Sequence, residues 1–127
     1  MRILFIGDIM GRSGRDALKK HLPGLKEKLA PDVIIVNGEN SAHGIGISEK
    51  IVKELYEQGV DVITTGNHVW DQREILAYID RDPHLLRPLN YPVNTPGNGH
   101  VLYGMKNGQK ILVINAMARI FMDAMED

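Results

Sequence analysis

The chain has 127 residues, 43% of them hydrophobic and 24% charged, with a formal net charge of -1. That is enough for one modest domain with a real core, and the charge balance argues against a protein that grips nucleic-acid backbone by bulk charge, though not against a local phosphate site. The absence of cysteine excludes disulfides, thiolate zinc sites and a thiol nucleophile, and suits the cytoplasm.

Arg2 to Ile6 is a compact apolar run of the kind found in strands buried on both faces of a parallel sheet. It stops at Gly7-Asp8, too early for a signal sequence or a membrane span. Ser13 is a candidate N-cap, with Asp16 three residues on, for a helix from about Gly14 to Leu29. Leu18, Leu22, Leu25 and Leu29 share one face of it, and Pro23 predicts a kink or two shorter helices. Val33 to Val36 reads as a second buried strand leading into Asn37-Gly38-Glu39-Asn40 and a glycine-rich loop, Ser41 to Ile47. Ser48 caps a second helix through about Gln58, with Gly59 as its C′ residue. Val60 to Thr64 is a third strand. It ends in Thr65-Gly66-Asn67-His68, and Asp71 with Glu74 predicts a third helix to about Ile79.

From Asp80 to Asn98 the prolines at 83, 88, 92 and 96 argue against regular structure. His100 to Met105 and Lys110 to Ala116 read as a hairpin around Lys106-Asn107-Gly108. The stretch from Met117 to Asp127 shows neither cap nor stop signal. The order β-α-β-α-β-α plus a hairpin implies a largely parallel sheet with helices on its faces, and such sheets bind ligands beyond the carboxyl ends of their strands.

The three strand-end loops carry Asp8, Glu39-Asn40 and Asn67-His68. Two carboxylates, two carboxamides and an imidazole at one place make a hard, oxygen-rich metal site. Glu39 can bridge two cations, and cations roughly 3.5–4 Å apart clamp a phosphate and activate water. His68, beside the metals, can protonate a leaving oxygen. Plainer explanations stand beside these. Asp8 can cap a turn, Glu39-Asn40 can be solvated turn residues, and Gly-Asn is itself a turn signal. His43 reads as a surface histidine, Trp70 as core or lid, and Arg12, Arg15 and Arg73 as solvated. The order G-x-G-x-x-G is absent after the first strand, which argues against a dinucleotide site.

IGDIMGRSGR, VNGENSAHGIGIS, TTGNHVWD, RPLNYP and INAMARIFMD, in that order, resemble the YmdB family of bacterial metallophosphoesterases, within the calcineurin-like superfamily. The resemblance implies a layered α/β metallophosphoesterase-type fold and a two-metal phosphodiesterase, with 2′,3′-cyclic nucleotides the best-known substrates and an RNA-related substrate in keeping. Its metal residues fall on Asp8, Glu39, Asn40 and Asn67, and its proton donor on His68. Fe or Mn suits such ligands, and Mg²⁺ does too. Met10 stands where the wider superfamily has a histidine, and Glu39 where it has a bridging aspartate, both as in this subgroup. Members of the family are about twice this length, an ordinary domain size. The resemblance therefore implies one partial domain over residues 1–127, without the later metal-binding histidines of a GTHTHVQT-like stretch. Such a chain is expected to be inactive or weakly active alone, with exposed apolar faces that could pair copies into a homo-oligomer. The competing expectation is a non-catalytic module that binds a nucleotide or a partner.

Overall fold

The computed structural model describes residues 1–118. The expectations for the tail beyond 118 lie outside the described residues. In chain order the elements are β1 (Ile3–Ile6), α1 (Gly11–Leu29), β2 (Val33–Asn37), α2 (Glu49–Glu57) and β3 (Val62–Thr64). A 3₁₀ turn (Asn67–Trp70), α3 (Ile75–Tyr78), a second 3₁₀ turn (Ile79–Arg81), β4 (Leu85–Leu86), β5 (His100–Gly104) and β6 (Lys110–Ile114) follow. β1 to β4 form a parallel sheet in chain order, and β5 and β6 pair antiparallel as a separate ribbon.

Right-handed crossovers in a sheet whose order follows the chain put every helix on one face. The side chains divide accordingly. Ile34 and Val36 of β2, with Ile63 and Leu85, pack against Leu18 and Leu22 of α1, Val52 and Leu55 of α2, and Ile75 of α3. Val33 and Ile35, with Val62 and Leu86, pack against Met105, Val113 and the partly buried Tyr103 and Ile111 of the ribbon. Strand alternation thus sends neighbouring residues into two different cores. The expectation of helices on both faces is corrected: the second face is covered by the hairpin.

The hairpin stops short of β1. Ile3 and Phe5 are 49% and 57% exposed, so β1 is not the doubly buried strand that its composition suggested. Leu102, Leu112 and Ile114 are exposed on the ribbon. No helix among the described residues is long and apolar enough to cross a membrane.

Other differences have local causes. α1 begins at Gly11, with Met10 as its N-cap, and Ser13 does not cap it; the Ser13 hydroxyl donates to the Met10 carbonyl (3.4 Å). Pro23 lies inside one continuous helix. Its ring deprives only the carbonyl of Lys19, an exposed residue, so water can serve in place of the lost bond. Ser48 caps α2 as expected, its hydroxyl accepting from the Ile51 N–H (3.4 Å), and Gly59 follows with φ +90°. The third helix is broken into short turns, because Asn67 to Trp70 already wind into a 3₁₀ turn before Asp71 can cap anything. β4 forms within the proline-rich stretch, pairing Ile63 with Leu85 and Thr64 with Leu86.

Buried Asp82 ties the helices to β4. Its carboxylate accepts from the Tyr56 hydroxyl (3.0 Å), the Tyr78 hydroxyl (3.0 Å) and the His84 N–H (2.9 Å). On the other face the Tyr103 hydroxyl donates to Asp61 (2.6 Å), which also accepts from the Ile34 N–H (2.8 Å). Burial, and then the carboxylate beside each, push Tyr56 upward and raise Tyr78 and Tyr103 to about 12. A tyrosine whose folded value is raised stabilises the fold fully below its ordinary value, and that contribution disappears as pH climbs through the folded value. Melting temperature should therefore fall between pH 10 and about pH 12, with a shallower slope in Tyr78→Phe/Tyr103→Phe. Identical slopes in the two proteins would rule out this linkage.

Candidate functional site

The carboxyl ends of β1, β2 and β3 lie side by side, because the strands are parallel and in register, with Ile6 beside Val36 and Asn37 beside Thr64. Backbone hydrogen bonds strap the three loops that leave them. The Ile9 N–H donates to the Asn37 carbonyl (3.1 Å), the Gly11 N–H to the Asn40 carbonyl (2.8 Å), and the Gly38 N–H to the Thr64 carbonyl (3.0 Å). Ser41 turns its loop back, its hydroxyl donating to the Gly38 carbonyl (2.6 Å), and the Arg15 guanidinium donates to the Ser41 carbonyl. Asn115 secures the exit from β3. Its amide donates to the carbonyls of Thr65 (2.8 Å) and Leu86 (3.0 Å).

On this frame Asn40 is the buried centre. Its Nδ2 donates to both carboxylate oxygens of Asp8, each at 3.0 Å, and its Oδ1 lies 2.6 Å from His68 Nδ1. With Oδ1 as the acceptor, Nδ1 carries a hydrogen, and Nε2 is the ring atom left to take or give a proton. Glu39 reaches across from the β2 loop, and its Oε2 accepts from the His68 backbone N–H (3.3 Å). Its carboxylate rests on Gly66, where any Cβ would overlap it.

Four of the five sequence-predicted residues thus meet: Asp8, Glu39, Asn40 and His68. Asn67 heads the 3₁₀ turn, exposed, with no side-chain hydrogen bond among the described residues. His43 is exposed at φ +57°, in keeping with a surface residue. Trp70 is half-buried against the helix-side core. Among the described residues no three of His, Cys, Asp and Glu gather closely enough to hold a metal ion. The donor types suit a hard cation; their number falls short of a full shell. Sequence reasoning missed the supporting residues Arg15 and Asn115. Asn115 lies in the INAMARIFMD stretch, but nothing local shows that its partners are carbonyls of β3 and β4.

A family model described as YmdB-like protein matches residues 4–127. The chain belongs to that family. It is 50% identical over 127 residues to a Bacillus subtilis protein named 2′,3′-cyclic-nucleotide 2′-phosphodiesterase, covering all of this chain and 48% of the relative. A crystal structure of a hypothetical protein from Thermus thermophilus superposes with a TM-score of 0.91 at 42% identity, covering 100% of this chain and 49% of that one. A crystal structure of a novel phosphatase from Mycoplasma pneumoniae gives 0.88 at 35% identity, covering 98% and 46%. The mixed α/β fold with its parallel sheet is therefore that of the family, and the chain spans about half the length of the relatives it matches.

The Glu39–Gly66 contact gives a direct test. What a side chain on Gly66 would meet is the Glu39 carboxylate. Gly66→Ala should cost on the order of 1 kcal/mol, the low end of overpacking, because what must move is the end of the Glu39 side chain. In a Glu39→Ala background the same change should cost less than half as much, as read by a double-mutant cycle of urea unfolding. Equal costs in both backgrounds would show that the two groups are not coupled.

Proposed function

We propose that this family member is a two-metal phosphodiesterase acting on small phosphodiesters of the 2′,3′-cyclic-nucleotide type. In this reading residues 1–127 carry the oxygen-rich part of its metal centre. The observation that supports it most is the linked set Asp8–Asn40–His68 with Glu39 alongside, at the strand ends where such sheets bind ligands. The Bacillus subtilis relative's name supplies the substrate class.

In this reading the carboxylates of Asp8 and Glu39 and the carboxamide oxygens of Asn40 and Asn67 would hold the cations, Fe or Mn first and Mg²⁺ also suiting. Bound there, the metal would supply phosphate clamping and activation of water. His68 does the proton work. As water adds to phosphorus, losing a proton to solvent, and the bond to the leaving oxygen breaks, the imidazolium form of His68 would give its Nε2 proton to that oxygen, while Asn40 holds the ring through Nδ1. Asn40 keeps Asp8 in place through Nδ2. The remaining ligands would come from the half of the fold that the relatives have and this chain does not span. An RNA end bearing the same cyclic phosphate presents the same chemistry. The exposed Ile3, Phe5, Leu102, Leu112 and Ile114 would be covered by that second half, or in its absence by another copy.

The full-length protein with Mn²⁺ should hydrolyse 2′,3′-cyclic AMP, and residues 1–127 alone should lose nearly all of that rate. His68→Ala should lower kcat on 2′,3′-cyclic AMP by about 10²-fold or more. It should cost much less on bis-p-nitrophenyl phosphate, whose leaving group departs without a proton. Equal losses on both substrates would remove His68 as the acid. No turnover, together with no bound metal by elemental analysis, would favour the non-catalytic binding module instead.

A further inference from the structure

In a 3₁₀ turn side chains three residues apart eclipse one another. Asn67 and Trp70 are the first and last residues of such a turn, so they leave it on the same side. Trp70 packs partly into the helix-side core. Against its ring stands Tyr91, edge-on, with centroids 5.8 Å apart and planes at 77°. Tyr91 is half-buried and belongs to neither core cluster. The ring therefore stands against the turn that carries Asn67 and His68.

The loop that carries Tyr91 is held by hydrogen bonds from Arg87, Leu89 and Asn90. Arg87 is buried, and its guanidinium donates to the carbonyls of Pro88 (2.8 Å), Leu89 (3.3 Å), Thr95 (3.4 Å) and Pro96 (3.2 Å). It forms no ion pair among the described residues. A buried cation held by carbonyls alone is a costly way to fix a loop. The Leu89 N–H donates to the Asn115 carbonyl (2.6 Å), and the Asn90 carboxamide exchanges two hydrogen bonds with the Met117 backbone (2.8 and 3.1 Å). What this scaffold presents between Leu89 and Pro92 is one aromatic ring, set against Trp70 of the turn that carries His68.

We infer that Tyr91, braced by Trp70, is the surface on which the nucleobase of the substrate stacks, and so the residue that selects nucleotides over base-free phosphodiesters. Stacking on an aromatic ring tolerates every base, so the selection is for a base and not for a particular one. The inference rests on the phosphodiesterase reading, and its test separates the two. With the full-length protein and Mn²⁺, 2′,3′-cyclic AMP is compared with glycerol 1,2-cyclic phosphate, which has the same kind of ring phosphodiester and nothing to stack. Tyr91→Ala should raise KM for the nucleotide about tenfold, with kcat and the glycerol compound changing less than about twofold. Tyr91→Phe should stay near wild type, and Tyr91→Leu, which fills the volume without a π face, should behave like Tyr91→Ala. Calorimetry should show affinity for adenosine 3′-monophosphate falling by the same factor. Equal losses on both substrates, or no loss on either, would overturn the inference. If the wild type hydrolysed neither substrate the phosphodiesterase reading would fail, while the calorimetric comparison would still decide where the base binds.

Discussion

The site depends on one carboxamide. Asn40 is the residue that links Asp8 to His68: its Nδ2 holds Asp8, its Oδ1 holds His68, and its backbone carbonyl receives the Gly11 N–H. A carboxamide is suited to this because it donates from one end and accepts at the other. An aspartate in its place would face Asp8 with like charge. A leucine would leave Asp8 and the imidazole without partners. Asp8 is exposed and His68 half-buried, so what either change removes is chiefly the position that Asn40 gives them. The relative positions of the β1 loop and the 3₁₀ turn are therefore set by this side chain in the middle.

The same dependence explains why α1 starts where it does. A helix N-terminus has unpaired N–H groups that need an acceptor. Local reasoning assigns that task to Ser13, a good capping residue. In the structure the Asn40 carbonyl accepts from Gly11 across the gap between loops, so the helix begins earlier and Met10 serves as its N-cap with no side-chain bond. The bond that starts the helix also ties the Asp8 loop to the β2 loop. A tertiary partner replaced a local cap, and no spacing of residues in the helix itself carries that information.

Much of the fold was legible where burial is uniform. β2 and β3 read as buried strands because both of their faces are covered, and the hairpin read from its Asn-Gly turn. β1 is as apolar as β2, yet Ile3 and Phe5 are exposed on one face; composition reports what a strand can bury, and the neighbours decide what it does bury. β4 was hidden because two residues give no period, and its place is set by pairing with β3. The third helix failed for the opposite reason. Asp71 and Glu74 are a sound local signal, but the turn at Asn67–Trp70 had already fixed the chain's direction. At the site the five candidate residues could be chosen because parallel strands gather their carboxyl ends. The supporting groups could not. Arg15, Arg87 and Asn115 act on carbonyls, and every residue has a carbonyl, so nothing in the sequence singles out which ones they meet.

Glu39 and Gly66 show how a residue's length can be fixed by what it must reach. Glu39 starts from the loop after β2, while the N–H that it accepts from belongs to His68, in the loop after β3. To cross that distance the carboxylate passes over Gly66, and it can do so only because Gly66 has no Cβ. An aspartate at 39 would fall a methylene short of His68. An alanine at 66 would obstruct the longer side chain. The two residues are thus one choice made at two positions. Its consequence is that the Glu39 carboxylate orients the turn carrying the imidazole. Under the proposed mechanism a change at Glu39 should accordingly disturb proton transfer through His68 as well as any ion it holds, and the two effects should scale together across substitutions of different length.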